Sequence, residues 1–496
     1  MLKYIVSLIF ILIPFFCLYG QPQQGTGAIL DERKYVEVPL AAPTTSDSYH
    51  KLPPRYSLKP YCPTPGDQGI TGTCVGWAVS YAARSIMEAL EKGWTRENAR
   101  DSIDASAFSP SFIYNMILEE ENINDCSLGG YIADALNYLR YKGTVRAIDF
   151  PFTTDCTLQP TQEQMGMAWR YRVQGFQRLT FQNQDQLKID KVRESIANNL
   201  PVIVGIKILN NLRERKHKDH VWLPTLGDPA TATTHAMLVV GYDDTKKQFE
   251  LMNSWGTDWG NDGFIYLSYS DFAKQVREAY HLLFAPQTPV MVNQINLSAD
   301  IIFKQLHTDL ENPDAGCLKE EIGTMSAKKQ TPFTFKMINT YESWTGYQIR
   351  FTPKTVNMIV YIFSVDMFGN TDLLYPFQPD VLGLYGNESP QATVDALVPY
   401  SGSTIALPHE DYCMQLDSKP GTVNCFLFSK KDIDIAAVLK QIETTEGSVA
   451  DRVHKALGSR LADERLIQYQ PFGIGFDANV ADDAIVPIIV DINHAY

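Results

Sequence analysis

The apolar pattern of this 496-residue chain changes period at Pro201, and that change restricts the fold more than any other feature of the sequence. Before it, Val79, Ala82, Ala83, Ile86, Met87 and Leu90 recur at helical spacing within Ala78 to Glu91, and a second helical stretch covers Tyr131 to Tyr141. After it come short β-rich runs: Val202-Ile203-Val204-Gly205-Ile206, Ala236 to Val240, Phe249 to Asn253 and Gly263 to Leu267. Helices first and sheet second is the order of an α+β domain. The length exceeds what one hydrophobic core usually supports, so a second folded domain is expected. With 45% hydrophobic and 20% charged residues, the chain has the apolar material for both.

Just ahead of the first helix, Asp67-Gln68-Gly69-Ile70-Thr71-Gly72-Thr73-Cys74 sets a cysteine after a Gly-containing loop and at a helix start. A thiol gains from that place. Unpaired N–H groups and the helix dipole stabilise a thiolate, and a neighbouring imidazolium lowers its pKa from about 8.5 to roughly 3 to 4. Cys74 is thus expected to be a nucleophile charged at neutral pH. His235 stands just before the apolar run from Ala236 to Val240, where a rigid sheet holds its ring. Asn253 offers an amide oxygen to the second ring N–H, and Trp255 can shield that bond from water. Taken singly these residues have plainer readings: a buried structural thiol, a turn amide, a core indole. Their common register argues for catalysis.

Together they resemble the papain family of cysteine peptidases over roughly residues 52 to 285. The resemblance rests on Gln68 lying six residues before Cys74, on His235-Ala236 opening a strand, on Asn253-Ser254-Trp255-Gly256, and on Gly260 and Gly263 leading into an apolar strand. It implies a helical and a β subdomain with the cleft between them. It also implies roles: His235 as base, Asn253 orienting it, and the Gln68 side chain with the Cys74 N–H as oxyanion hole. Phe108 to Tyr114 looks like the family's Leu-Ser-rich helix entry, and Cys126-Ser127-Leu128-Gly129-Gly130-Tyr131 like its Cys-x-Gly-Gly segment with one extra residue. By that likeness Gly129 and Gly130 offer backbone to an extended substrate. Tyr131, Ile132, Val202, Gly205 and Ala236 would then line the pocket for the residue two before the scissile bond, where an apolar side chain is expected, and Trp255 would border the substrate site. A Cys126–Cys156 disulfide follows from the same likeness. Thr71 stands where the family has a cysteine, Val75 where it has tryptophan, and the Cys74 to His235 interval is long, which marks a divergent, bacterial-type branch.

The second half resembles, more loosely, an uncharacterised β-rich module attached to bacterial peptidases, on Val360 to Asp366, Gly369, Leu373 to Pro376, Ile405 to Pro408 and Gly421 to Ser429. That implies a sandwich-like accessory domain, available for a protein or cell-surface partner. Strands are expected over Val356 to Val365 and Asp372 to Tyr375 around a Gly369-Asn370 turn, and a helix over Val449 to Asp463.

The formal charge of -14 argues against nucleic acid as a partner. His217 and His220 lack further ligands for a zinc site, so no metal and no cofactor is expected. The expected partner is a peptide or protein substrate. Met1 to Gly20, with Lys3 before an apolar run, reads as a signal peptide and hence export; a membrane anchor or lipidation at Cys17 is the lesser alternative. Without Cys17, seven cysteines remain, an odd count that leaves a free thiol, nominated as Cys74. Cys413 and Cys425 are placed to pair across a hairpin, and Cys62 with Cys317 by elimination. The expected divisions are an N-terminal arm or short propeptide at 21–57, the peptidase domain at 58–288, a linker at 289–330 and the β-rich domain at 331–496. Two rival readings are a peptidase-fold binding protein without turnover and a transpeptidase.

Overall fold

A computed structural model describes residues 24–121, 123, 125–179, 184–284, 294–308, 317–377, 393–409, 412–417 and 421–495; the expected signal segment lies outside them. Residues 74–92 form one continuous helix, in which α-helical turns at Cys74–Gly76 and Ser85–Lys92 flank a π-helical stretch at Trp77–Arg84. Its stripe of Val79, Ala83 and Ile86 is fully buried. On one side it meets the helices Pro110–Glu120 and Ile132–Tyr141, and on the other the strands Val202–Ile208 and Thr233–Asp243.

Those strands lie in the middle of an eight-stranded sheet. Its order is Gly175–Arg178, Val276–Leu283, Val202–Ile208, Thr233–Asp243, Gln248–Met252, Phe264–Ser268 and Val221–Trp222, with Arg55–Ser57 added beside Thr233–Asp243. Val202 to Ile206 are buried at odd and even positions alike. Alternate residues of a strand face opposite ways, so both faces are covered, by the nucleophile helix and by the helix Asp185–Ala197. Each buried Val or Ile contributes about 1.5 to 3 kcal/mol. One core thus runs from the helices into the sheet and fixes the two subdomains against each other.

The C-terminal domain is a sandwich. One sheet is ordered Ile405–Leu407, Gly346–Pro353, Ile295–Thr308, Ile474–Val480 and Ile467–Tyr469, with Cys317–Met325 and Met414–Gln415 alongside. The other is ordered Ala327–Thr331, Thr334–Met337, Val486–Asp491, Val423–Ser429, Met358–Val365 and Thr371–Tyr375, with Leu397–Val398 alongside. Phe303, Phe351, Phe426, Phe428 and Phe476 fill the space between them. The helices Ile435–Thr444 and Val449–Leu457 cover the outer face of the second sheet over Val365, Cys425 and Leu427.

Four expectations need correction. Residues 289–330 are not a linker, since Ile295–Thr308, Cys317–Met325 and Ala327–Thr331 are strands of the sandwich. The boundary at 57 fails too, because Arg55–Ser57 hydrogen-bonds into the eight-stranded sheet. Cys425 is a free, buried thiol facing the helical layer, whereas Cys413 adjoins a strand of the other sheet and forms a disulfide elsewhere, so no Cys413–Cys425 bridge exists. Cys62 is likewise free and buried, which removes a Cys62–Cys317 pair. Cys126 and Cys156 are joined by a disulfide.

Candidate active site

Cys74 opens the nucleophile helix, is fully buried, and faces the backbone N–H of Ala236 on the strand that also carries His235. His235 Nε2 pairs with Asn253 Oδ1 at 2.8 Å, which fixes the ring. The other ring nitrogen, Nδ1, is buried without a hydrogen-bond partner and is the one left to take a thiol proton. The Trp255 ring stacks on His235 with centroids 4.9 Å apart, closing off the Asn253 bond from water.

The Gln68 loop and the Asn253 loop are zipped together: Gln68 N–H donates to Ser254 O (2.9 Å) and Gly256 N–H to Gly66 O (2.9 Å). The Ser254 hydroxyl donates to Gln68 Oε1, and Gln68 Nε2 donates to Thr71 O at 2.7 Å. A primary amide has two N–H donors, so one remains for an oxyanion beside the Cys74 N–H. Where the family has a loop-tying cysteine, the Thr71 hydroxyl bonds Gln68 O (2.8 Å) and the Thr73 hydroxyl (2.7 Å). Ser254, not singled out in the sequence, is a positioning residue for Gln68. Its signal was its place directly after Asn253.

The cleft is occupied by residues 25–30 of the same chain. Ala28–Ile29 pairs in parallel with Gly130–Tyr131, and Gly130 N–H donates to Gly27 O at 2.9 Å. The approach is close enough that a Cβ on Gly129 would lie 1.3 Å from Gly27 O. Gly25 bonds Gly69 O (2.8 Å) through its N–H and Trp255 Nε1–H (3.1 Å) through its carbonyl, while the Thr234 hydroxyl bonds Ala28 O. Leu30 fills the space over Gly205, against Ile132.

Beneath the arm, burial sets the state of the Cys74–His235 pair. Burial pushes the Cys74 thiol up to about 12, although the N–H groups of Ala236, Gly27, Val75 and Ala28 pull the other way. Burial likewise drives His235 down to about 4, against the Asn253 hydrogen bond, with Arg213 adding to the fall. The covered pair is therefore a neutral thiol and a neutral imidazole, not the thiolate expected from the helix start; excluding water penalises both charges. The arm aims N–H donors at the sulfur rather than a carbonyl carbon.

Gly129, Gly130, Tyr131, Gly205, Ala236 and Trp255 all border the arm or the reacting pair. Val202 does not. It is an odd number of residues from Gly205 and so points to the opposite face of the strand, into the core.

Residues 67–280 match the model of the papain family cysteine proteases. A cathepsin K of Gallus gallus is 30% identical over 208 residues, 41% of this chain and 54% of that protein. A cysteine protease of Blomia tropicalis is 25% identical over 240 residues, covering 47% and 66% respectively. The chain thus spans between about half and two thirds of the length of these relatives. Xylellain, a cysteine protease from Xylella fastidiosa, superposes on 53% of this chain and 98% of its own, with 22% identity and a TM-score of 0.43.

Proposed function

We propose that this chain, which belongs to the papain family of cysteine proteases through residues 67–280, hydrolyses peptide bonds and is held latent by its own residues 24–31. The observation that carries the reading is the His235–Asn253 pair beside Cys74 at a helix start, with Nδ1 of His235 free. Once the arm leaves, His235 Nδ1 takes the thiol proton and Cys74 Sγ attacks the peptide carbonyl carbon. A carbon–sulfur bond forms and the carbonyl electrons move to oxygen, which accepts from the Cys74 N–H and Gln68 Nε2–H. The carbon–nitrogen bond then breaks as His235 gives its proton to the leaving amine. Water, deprotonated by His235, splits the thioester and restores the thiol.

The protein is further proposed to be exported. The Cys126–Cys156 disulfide favours an oxidising compartment, and among the described residues no helix is long and apolar enough to cross a membrane.

The test is intact-mass labelling of the full chain with a peptidyl vinyl sulfone after limited proteolysis of the arm, comparing wild type with Cys74→Ala. One adduct mapped to Cys74, with peptide hydrolysis lost in the variant, is expected. A folded, arm-free protein that takes no label would leave the inert binding protein standing, and ligated products with added amines would favour the transpeptidase.

A further inference from the structure

Arg213 is a cation near His235 that the proposed reaction steps do not use. It ends the short helical turn Asn210–Arg213, whose Leu212 is fully buried. That turn is pinned from behind: Trp259 Nε1–H donates to Leu212 O (3.0 Å), and Gly260 N–H donates to Arg215 O (2.9 Å). The root of the Arg213 side chain is thus fixed before any ligand arrives. Arg213 borders a hollow of about 670 Å³, which is also lined by Trp259 and by Trp255, the indole stacked on His235.

The arm shows which part of a substrate would lie there. Gly27 and Ala28 turn their N–H groups to the Cys74 sulfur; Leu30 fills the space over Gly205 on one side of them, and Gln24 borders the hollow on the other. Leu30 lies in the pocket expected for the residue two before the scissile bond, so the hollow takes the leaving side. Gln24 stands three residues from Gly27, a place that corresponds to the second or third residue after the bond. Because Gln24 is itself mid-chain, an internal segment can lie there, and the group it offers to Arg213 is then a side chain.

Arg213 has no carboxylate of its own. Its Nε–H donates to Gln24 O at 3.4 Å, and it makes no ion pair among the described residues. Partial burial lowers its pKa below the ordinary guanidinium value with no acid opposing the fall. Asp67 and Asp258 border the same hollow, but the Asp67 carboxylate turns back to Gly69 N–H (2.8 Å) and Asp258 is exposed. Arg215 adds a second positive charge to the rim, and the charge of Arg213 reaches His235. A single backbone carbonyl leaves most guanidinium N–H donors unused and the charge unanswered, whereas a carboxylate matches the planar fork with two oxygens.

We infer that Arg213 binds a carboxylate on the leaving side of the substrate and so selects aspartate or glutamate as the second or third residue after the scissile bond. The inference rests on the peptidase reading and adds a substrate class to it.

Two measurements on the full chain separate the inference from the reading beneath it. The first needs no turnover: it uses Gln24→Glu, Arg213→Gln and the double variant, and follows thermolysin cleavage of residues 24–45. A carboxylate at 24 should slow arm cleavage about threefold, and Arg213→Gln should remove that protection. Equal effects of Gln24→Glu in both backgrounds would overturn the inference. The second, after arm removal, compares kcat/KM for internally quenched peptides with Asp or Glu, against Asn or Gln, at the second and third residues after the scissile bond. Each peptide is made with an amidated and with a free C-terminus. The acid-to-amide ratio should be about three or more in wild type and fall to about one in Arg213→Gln. A ratio of one or less in wild type, or one that survives the substitution, would sink the assignment while the peptidase reading stands. A gain that follows the free C-terminus instead of the side chain would overturn it as well. No turnover with no label on Cys74 would sink the peptidase reading, and the arm-cleavage cycle would still decide whether Arg213 holds a carboxylate.

Discussion

Residues 24–31 and residues 38–45 belong to one short segment but are held by different forces. The front half lies in the cleft on hydrogen bonds to the backbone at Gly25, Gly27 and Ala28 and on the apolar side chains of Ala28 and Leu30. Such bonds are exchanged against water and are worth about 0.5 to 1.5 kcal/mol each. The rear half is wedged between the domains. Leu40 forms parallel bridges to Arg178 of the eight-stranded sheet and to Val394 of the sandwich, and with Ala42 it is buried in the sandwich core. Thr45 N–H reaches Thr404 O (2.8 Å), and Lys191 Nζ reaches Ala42 O (2.8 Å). The difference teaches where latency comes from. The front blocks the site and the rear keeps the front there, because a segment tethered a few residues away has an effective concentration on the order of millimolar. On this account the C-terminal domain serves the active site without touching it.

Leu40→Asp breaks the comparison most severely. It puts an unpaired charge into the sandwich core, at a cost of several kcal/mol, more than the front contacts can offset. Thermolysin cleavage of the arm and iodoacetamide labelling of Cys74 should both accelerate by about a hundredfold or more, with far-UV circular dichroism checking that both domains remain folded. A loosened rear with unchanged labelling would show that the front holds itself. Gly27→Ala works from the other end. Its Cβ would lie 2.5 Å from Gly72 O, a backbone atom that cannot swing aside. Overpacking of this kind costs about 1 to 3 kcal/mol, so labelling should rise by roughly tenfold while cleavage near Leu40 stays slow. Equal exposure of both halves would mean that they release as one unit.

Cys74, His235, Asn253 and Gln68, the quartet proposed to be catalytic, could be singled out from sequence because each sits in a local motif: a Gly loop before a helix, a histidine before a strand, an Asn-Ser-Trp-Gly turn. What depends on register could not be. Val202 was assigned to the pocket although its parity along the strand points it away, and Glu278 was not singled out, because only its pairing with Gly205 places it there. The first sandwich strand carried a readable signal, since Leu297, Ala299, Ile301 and Phe303 alternate and all are buried, yet it fell in a presumed linker. The arm has no periodicity because its fold is dictated by the surfaces it lies on. Cys413 and Cys425 are near in sequence but their strands belong to different sheets, which sequence distance cannot reveal.

Acidity offers a finer probe of the front half. Burial raises Glu278 from 4.5 to about 7 while the arm is bound; the Asp31 carboxylate adds to the rise, and the hydrogen bonds from Tyr280 and from the Asp31 N–H oppose it. Beyond Tyr280 lie Tyr35 and Arg178. Returned to water on release, the group falls back toward 4.5, so arm binding takes up a proton between these values. The raised group's contribution to closure is fully present below about 4.5 and is lost as pH climbs through about 7. Arm cleavage in wild type, divided by cleavage in Glu278→Gln to cancel the protease's own profile, should rise with pH by at most about tenfold per unit. A flat quotient would mean that the carboxylate does not feel the arm.

The smallest effect expected is at Thr234, whose hydroxyl donates to Ala28 O beside the catalytic strand. Thr234→Val keeps the β-branched shape and removes one half-exposed hydrogen bond. Its loss should cost the front about 1 kcal/mol, or roughly fivefold in labelling of Cys74. Combined with Leu40→Asp, the same change should add almost nothing, because an arm already free has no front contact left to lose. If the two effects multiply instead, the front binds independently of the rear, and the C-terminal domain is a neighbour of the latch rather than its anchor.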